Sequence, residues 1–347
     1  MRFFWRWLKR LIIAGFLLVL LLLSPILYVE TMCHGDEEAE GYTALLPAEH
    51  HRSEARTLMT YPEWHIVHAY DDYAQVIATG DPHNFGYLRS IVGYWQSLCA
   101  LTETANRHGG VDGETKQLVY VIGVSFSLEL LLKAAYEETI GRASALLRGS
   151  DRAPLDDLSA RQAADYAQFL QQTPWYKWDF TKAAEALDAQ PTTVFRDRER
   201  KRALGIEYGG KAVYAKAIAA AVASTGTDEL TLRMVVDGLG TVTSDDIKII
   251  KAGVTGTEIE VPRYRKLTKL LQSMAADGVN FIEIAGNDDI LFTAIGNAPE
   301  HPEAIHSFAR QGYGDYRHLI LLKVSDLAER LRQLPQSGLT LEHIHDY

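Results

Sequence analysis

The sequence predicts an α+β protein in three parts: an N-terminal transmembrane helix, a helical bundle domain, and a ferredoxin-like (split β-α-β) domain with additional strands. Three observations predict it. Residues 11–29 form an uncharged apolar run, residues 58–190 repeat apolar side chains at three- and four-residue spacing, and residues 230–347 alternate strand-type and helix-type patterns punctuated by glycine. The boundaries follow: a basic tip and anchor at 1–30, an acidic juxtamembrane linker at 31–57, a helical domain at 58–190, a connecting helical segment at 191–229, and the α+β domain at 230–347.

The apolar run is long enough to cross a bilayer, which takes about 20 residues. A cleavable signal peptide has an apolar region of roughly 7–15 residues and a small-residue cleavage site; this run is longer and no such site follows it. Arg2, Arg6, Lys9 and Arg10 precede the run with no acid among them, and Asp36, Glu37, Glu38 and Glu40 follow it. By the positive-inside rule the N-terminus stays in the cytoplasm and the bulk of the chain is exported. Nothing resembles an organelle-targeting sequence, so the expected location is a bacterial inner (cytoplasmic) membrane, single-pass, with a periplasmic or extracellular domain. The formal charge of the chain is −10, and the exported part is more acidic still. That excludes the basic footprint of a nucleic-acid binder and broad docking on anionic lipid. The membrane is met through residues 11–29, with a lipid or an envelope protein as the expected partner.

Cys33 and Cys99 are the two cysteines of the chain. In an oxidising compartment they form a plausible disulfide that ties the juxtamembrane segment to the folded domain.

The helical domain opens on TYPEWHIVHAYDDYAQV. Thr60 and Glu63 fit a capping box with Pro62 in the first turn. Further helices are expected around 85–102, from about 114 as the buried central helix of the bundle, and over 159–172. The aromatic segment PWYKWDF (174–180) reads as a loop covering the helical core, and VFRDRERKRAL (194–204) as a solvated helix or linker. From Leu230 onward, LTLRMVV and DIKIIKA suggest a hairpin. Two strand–helix–glycine–strand units then follow, with stripes Leu267, Leu270, Leu271, Met274 and Leu327, Leu331, Leu334, and the strand ILFTAIG lies between them.

In the opening helix His65, His68 and Asp72 share a stripe at i, i+3 and i+7, away from Ile66, Val67, Tyr70, Tyr73, Ala74 and Ile77. Two imidazoles and a carboxylate so spaced suit zinc or iron, or proton transfer. The order lacks the H-E-x-x-H of zinc hydrolases, and a solvated or interdomain face is the simpler explanation. Glu129 stands in the most apolar helix, where a carboxylate needs a partner; Lys133 is placed to be one, and a histidine facing it across the bundle would make a site. On the last strand His343 and His345 share a face that is apolar at its start, opposite Glu342.

The nucleophile elbow, the P-loop, the dinucleotide fingerprint and paired C-x-x-C motifs are all missing from the sequence. Two readings remain. One is a membrane-anchored envelope protein with a binding, accessory or assembly role at the membrane surface. The other is a metal- or acid/base-dependent enzyme acting on a lipid or lipid-like envelope substrate through His65, His68, Asp72 and Glu129.

Overall fold

A computed structural model describes residues 2–36, 41–192, 194–223, 230–240, 242 and 244–346. The acidic residues Glu37, Glu38 and Glu40 lie outside the described residues. Helix α1 (Arg2–Met32) is long and apolar enough to cross a membrane. Its last turns are built into the helical domain: Val29 and Cys33 are buried, Ile26 packs against the same core, and Cys33 is disulfide-bonded to Cys99 with the Cα atoms 5.2 Å apart. Tyr120 donates to the Glu30 carboxylate at 2.7 Å.

The helical domain comprises α2 (Glu54–Leu58), α3 (Tyr61–Thr79), α4 (Tyr87–Asn106), α5 (Gly113–Tyr136), α6 (Arg142–Arg148), α7 (Pro154–Leu170), α8 (Phe180–Asp188) and α9 (Phe195–Ala223). A π-helical turn, Glu137–Gly141, joins α5 to α6. The capping box expected at Thr60 does not form. Because α2 ends only two residues earlier, Thr60 has helical backbone angles and its hydroxyl donates back to the Thr57 carbonyl at 2.7 Å. Helices α4 and α5 approach closely at Gly123, where a Cβ would meet the Tyr94 ring at 2.4 Å. Tyr94 donates to the Val119 carbonyl and Trp95 to the Ser127 hydroxyl across that contact.

Helix α5 is not the buried centre of a bundle. Val119, Gly123, Phe126 and Leu130 face inward, but Leu118, Val121 and Leu132 are more than half exposed on the opposite side. The PWYKWDF aromatics do cover the core, with Phe180 buried and Trp175, Tyr176 and Trp178 packed around it. The charged run at 194–204 is helical, with Arg198 and Arg202 solvated, but its other face is enclosed. Arg196 and Arg200 are each 1% exposed, held by Asp156, Glu199 and Glu137. A charge-rich helix gives no sequence sign of this, because Asp156 and Glu137 come from other segments.

The C-terminal region consists of β1 (Thr231–Asp237), β2 (Lys248–Ala252), β3 (Thr257–Pro262), α10 (Arg265–Ala276), β4 (Asn280–Ile284), β5 (Asp289–Gly296), β6 (Ala304–Ala309), β7 (Tyr316–Lys323), α11 (Val324–Ser337) and β8 (Thr340–Ile344). The strands form two antiparallel four-stranded sheets, ordered β2-β3-β1-β4 and β6-β7-β5-β8. The second order repeats the first with every index raised by four, so the repeating unit is three strands, a helix and a strand. In each unit the strands flanking the helix lie on either side of a third, antiparallel strand.

The two units occupy separate sheets, where the sequence led us to expect one extended sheet. At residues 284–287 the chain makes a two-residue turn, closed by reciprocal bonds between Ile284 and Asn287, with positive φ at Ala285 and Gly286. The turn carries β5 out of the first sheet. A Cβ on Gly286 would meet the His51 ring at 2.8 Å, and Arg52 donates its amide to the Ala285 carbonyl, so the segment before α2 docks on this turn. The expected β1–β2 hairpin is likewise replaced: β3 inserts between them, pairing with β1 over six residues.

One core lies between the sheets and contains the inner faces of both, with Leu267, Leu271 and Met274 of α10 and Leu327, Leu331 and Leu334 of α11. A second core joins α1–α5 to the other face of the second sheet through Leu291 and Leu319, with Phe308 and Leu321 packed against it.

Candidate functional site: a buried histidine seam

The second sheet meets α3 along the predicted stripe. His65, His68 and Asp72 are all buried, and what they face is β6, β7, β8 and the β6–β7 turn. The His65 Nε2 lies 2.9 Å from the Ser90 carbonyl, which makes Nε2 the donor and leaves Nδ1 unprotonated. The Asp72 carboxylate accepts the Gln311 amide at 2.9 Å, while the Gln311 side chain bonds the Gly86 amide and the Ser90 hydroxyl. The His68 Nδ1 lies 3.6 Å from Glu342, whose carboxylate takes a two-point bond from Arg317 at 2.5 and 2.6 Å.

Alternation along β8 places Glu342 opposite the histidines, but the structure brings it to the seam. Leu341 pairs with Ala294 and His343 with Thr293, so Glu342 is the extra residue of a β-bulge. His343 stacks on Trp64 with centroids 3.4 Å apart and lies 2.9 Å from the Thr268 hydroxyl. His345 meets the Tyr61 ring edge-on at 5.3 Å. Sequence reasoning paired neither strand histidine with α3, and it missed Arg317, Gln311 and Glu342; none carries a local motif.

Burial dominates the electrostatics. It pushes His65 and His345 down to about 3 and His68 and His343 well below their usual value, with the Arg317 cation adding to the effect at His65, His68 and His345. The seam therefore holds neutral imidazoles. Burial raises the Asp72 carboxyl to about 7 against the pull of Arg317 and the Gln311 amide. Glu342, despite its burial, is held below the usual carboxylate range by Arg317. Several buried atoms have no hydrogen-bond partner: the Tyr61 hydroxyl, His68 Nε2, His343 Nε2, both nitrogens of His345 and one oxygen of Asp72. Such groups are costly unless satisfied.

The stripe does not converge on a single point. Among the described residues, the trios of His, Cys, Asp or Glu whose ligand atoms all lie within 4.8 Å are Cys33, Cys99, Glu103 and Glu54, His108, Asp289. The first is occupied by the disulfide.

Glu129 belongs to a different cluster, on the Tyr70 side of α3. It accepts from Tyr70 at 2.6 Å and pairs with Lys211 of α9 at 2.8 Å, with Lys133 at 3.8 Å. Glu207 binds both lysines, at 2.9 and 3.0 Å. Burial raises the Glu129 carboxyl, and the two lysines outweigh it and hold the group below its usual range. Two lysines and two glutamates balance in charge, and Tyr70, Tyr166, Tyr208 and Phe180 line a small cavity beside them. Of the four predicted site residues, three thus gather at the seam and Glu129 does not. Of the neighbouring acids, Glu137 is buried on Arg200 and Glu138 is exposed beside Arg142. No protein-family model, curated protein or solved structure matches this chain.

Proposed function

We propose that the protein is a single-pass, membrane-anchored cell-envelope protein, N-terminus in the cytoplasm, whose exported part has a binding or accessory role at the membrane surface. The observation that carries this reading is the way α1 enters the helical domain. Its last turns share the core of α2–α5 and are fastened by Cys33–Cys99, so the domain is held against the base of the apolar helix. The exposed apolar stripe of α5 begins at Leu118 and Val121, beside the Tyr120 that binds Glu30. In this reading the stripe rests against the bilayer next to the anchor, where Leu118, Val121 and Leu132 exchange water for lipid. The histidine seam then serves as an interdomain joint that fixes the α+β region on this platform.

Both native cysteines are bonded, so an introduced cysteine is the sole free thiol of the full chain. After reconstitution into vesicles with the exported side outward, Phe16→Cys, Val121→Cys and Leu132→Cys are expected to resist a charged, impermeant maleimide, while Val254→Cys in the exposed β2–β3 turn reacts freely. Reaction of Phe16→Cys at the rate of Val254→Cys removes the anchor. Protection of Phe16→Cys alone removes the lipid contact of α5 and keeps the anchor.

The unpartnered imidazole nitrogens and the raised Asp72 carboxyl favour a second reading, an acid/base-dependent enzyme acting on lipid-like envelope substrates through the seam. It requires a hydrolytic or proton-transfer activity on such substrates that is lost in His68→Ala and Asp72→Asn while the variants stay folded.

A further inference from the structure

Away from the seam, α2, the C-terminal end of α4 and the start of β5 meet at Glu54, His108 and Asp289. The Glu54 Oε2 lies 3.2 Å from His108 Nδ1, which lies 3.9 Å from Asp289 Oδ2, and all three ligand atoms fall within 4.8 Å of one another. Zinc binds nitrogen and oxygen ligands at about 2.0–2.2 Å in a tetrahedron, which sets neighbouring ligand atoms roughly 3.3 Å apart. The Glu54–His108 pair already has that spacing, and Asp289 needs to close on His108 by about half an ångström. Glu54 is 2% exposed, and its Oε1 is buried without a hydrogen-bond partner, so a deep carboxylate oxygen stands beside the cluster unsatisfied. The His108 side chain is 18% exposed, leaving a path from solvent and room for a water in the fourth position.

We propose that Glu54, His108 and Asp289 form a binding site for one divalent metal ion of the zinc class. Two carboxylates and one imidazole suit zinc, and a one-nitrogen, two-oxygen set with an open position also admits cobalt as a spectroscopic substitute. Glu54 and His108 come from the helical domain and Asp289 from the second sheet, so the ion clips the two regions together. Lys323 lies 2.8 Å from Asp289 and 2.9 Å from Asp288 with its side chain half exposed. The site shares no residue with the seam and does not depend on the proposed function.

The test uses the tag-free full chain in detergent, stripped with chelator and titrated with zinc chloride by calorimetry. One zinc per chain is expected, with a rise in Tm, and binding in Glu54→Gln and Asp289→Asn should weaken by at least the roughly 10–100-fold that even outer-shell partners cost. His65→Ala and His68→Ala should keep wild-type affinity. Cobalt added to the wild-type chain, which avoids any folding defect of the variants, should give visible d–d absorption that zinc displaces. No saturable zinc binding, binding unchanged in Glu54→Gln and Asp289→Asn, or loss in the seam variants instead would overturn the assignment.

Discussion

The two β-rich repeats share strand order and helix position, yet their outer faces have different surroundings. In the first sheet that face is covered only beside β4, where buried Glu283 accepts the Tyr42 hydroxyl and the Leu45 and Leu46 amides; the rest carries a part-exposed charged ladder, in which Arg233 pairs with Glu258 and Lys248 with Glu260, and Ile249 of the edge strand is exposed on the opposite face. In the second sheet the corresponding face is closed by α3 and its neighbours: seven of the eight residues of β5 are buried. The first repeat contains no histidine between residues 231 and 284, whereas the second carries His301, His306, His318, His343 and His345. One architecture thus yields a surface in one copy and a polar joint in the other. The difference lies in what covers the sheet rather than in how its strands are ordered.

The sharpest way to break the comparison is to remove one member of a buried pair. Glu342→Gln leaves Arg317, 1% exposed, without its counter-charge, and should cost about 3–5 kcal/mol in denaturant unfolding. The exposed counterpart, Lys248→Gln opposite Glu260, should cost only about 0.2–1 kcal/mol. Equal losses in the two variants would mean that the seam is no more enclosed than the ladder.

Apolar truncation comes next. Leu319→Ala, on the covered face of β7, should destabilise by about 2–5 kcal/mol, while Ile249→Ala in β2 should stay within about 0.5 kcal/mol. A small effect at Leu319 would show that the helical domain does not press on this sheet.

A smaller effect concerns pH. The folded pKa of His345 lies near 3, below the unfolded value of about 6.5. Its neutral form therefore contributes stability that is present above about pH 6.5 and lost as pH falls toward the folded value. At pH 5 the loss is about 2 kcal/mol on the scale of 1.36 kcal/mol per pKa unit. Asp72, raised to about 7, acts in the opposite direction over an overlapping range. The informative quantity is thus the difference between wild type and His345→Asn in stability measured from pH 8 to pH 5. The variant should lose less stability than wild type on acidification; an identical slope would place His345 in contact with water.

These contrasts also mark how far the sequence can be read. The stripes of α10 and α11 were legible because each is set by a local period: Leu267, Leu271, Met274, Leu327, Leu331 and Leu334 are buried in one core, with Leu270 partly buried against it. The grouping of His65, His68 and Asp72 was legible for the same reason, since helical spacing alone puts them on one face. Their surroundings were not, because Glu342, Arg317 and Gln311 lie more than two hundred residues away in the chain. Glu342 was further hidden by the bulge that breaks strict alternation on β8. The division into two sheets depends on one four-residue turn at 284–287, whose neighbours read as ordinary strand. Arg196 and Arg200 could not be told from solvated charges, since composition does not report which face of a charged helix is enclosed.

The Cys33–Cys99 bond gives the region beyond Cys99 a second covalent connection to α1. A proteolytic cut anywhere between residues 34 and 98 therefore leaves two fragments still joined through sulfur, and the larger one stays attached to α1 until a reductant reaches that bond. Cleavage of the intervening segment and separation from α1 become two separate events, the second governed by thiol chemistry rather than by the protease.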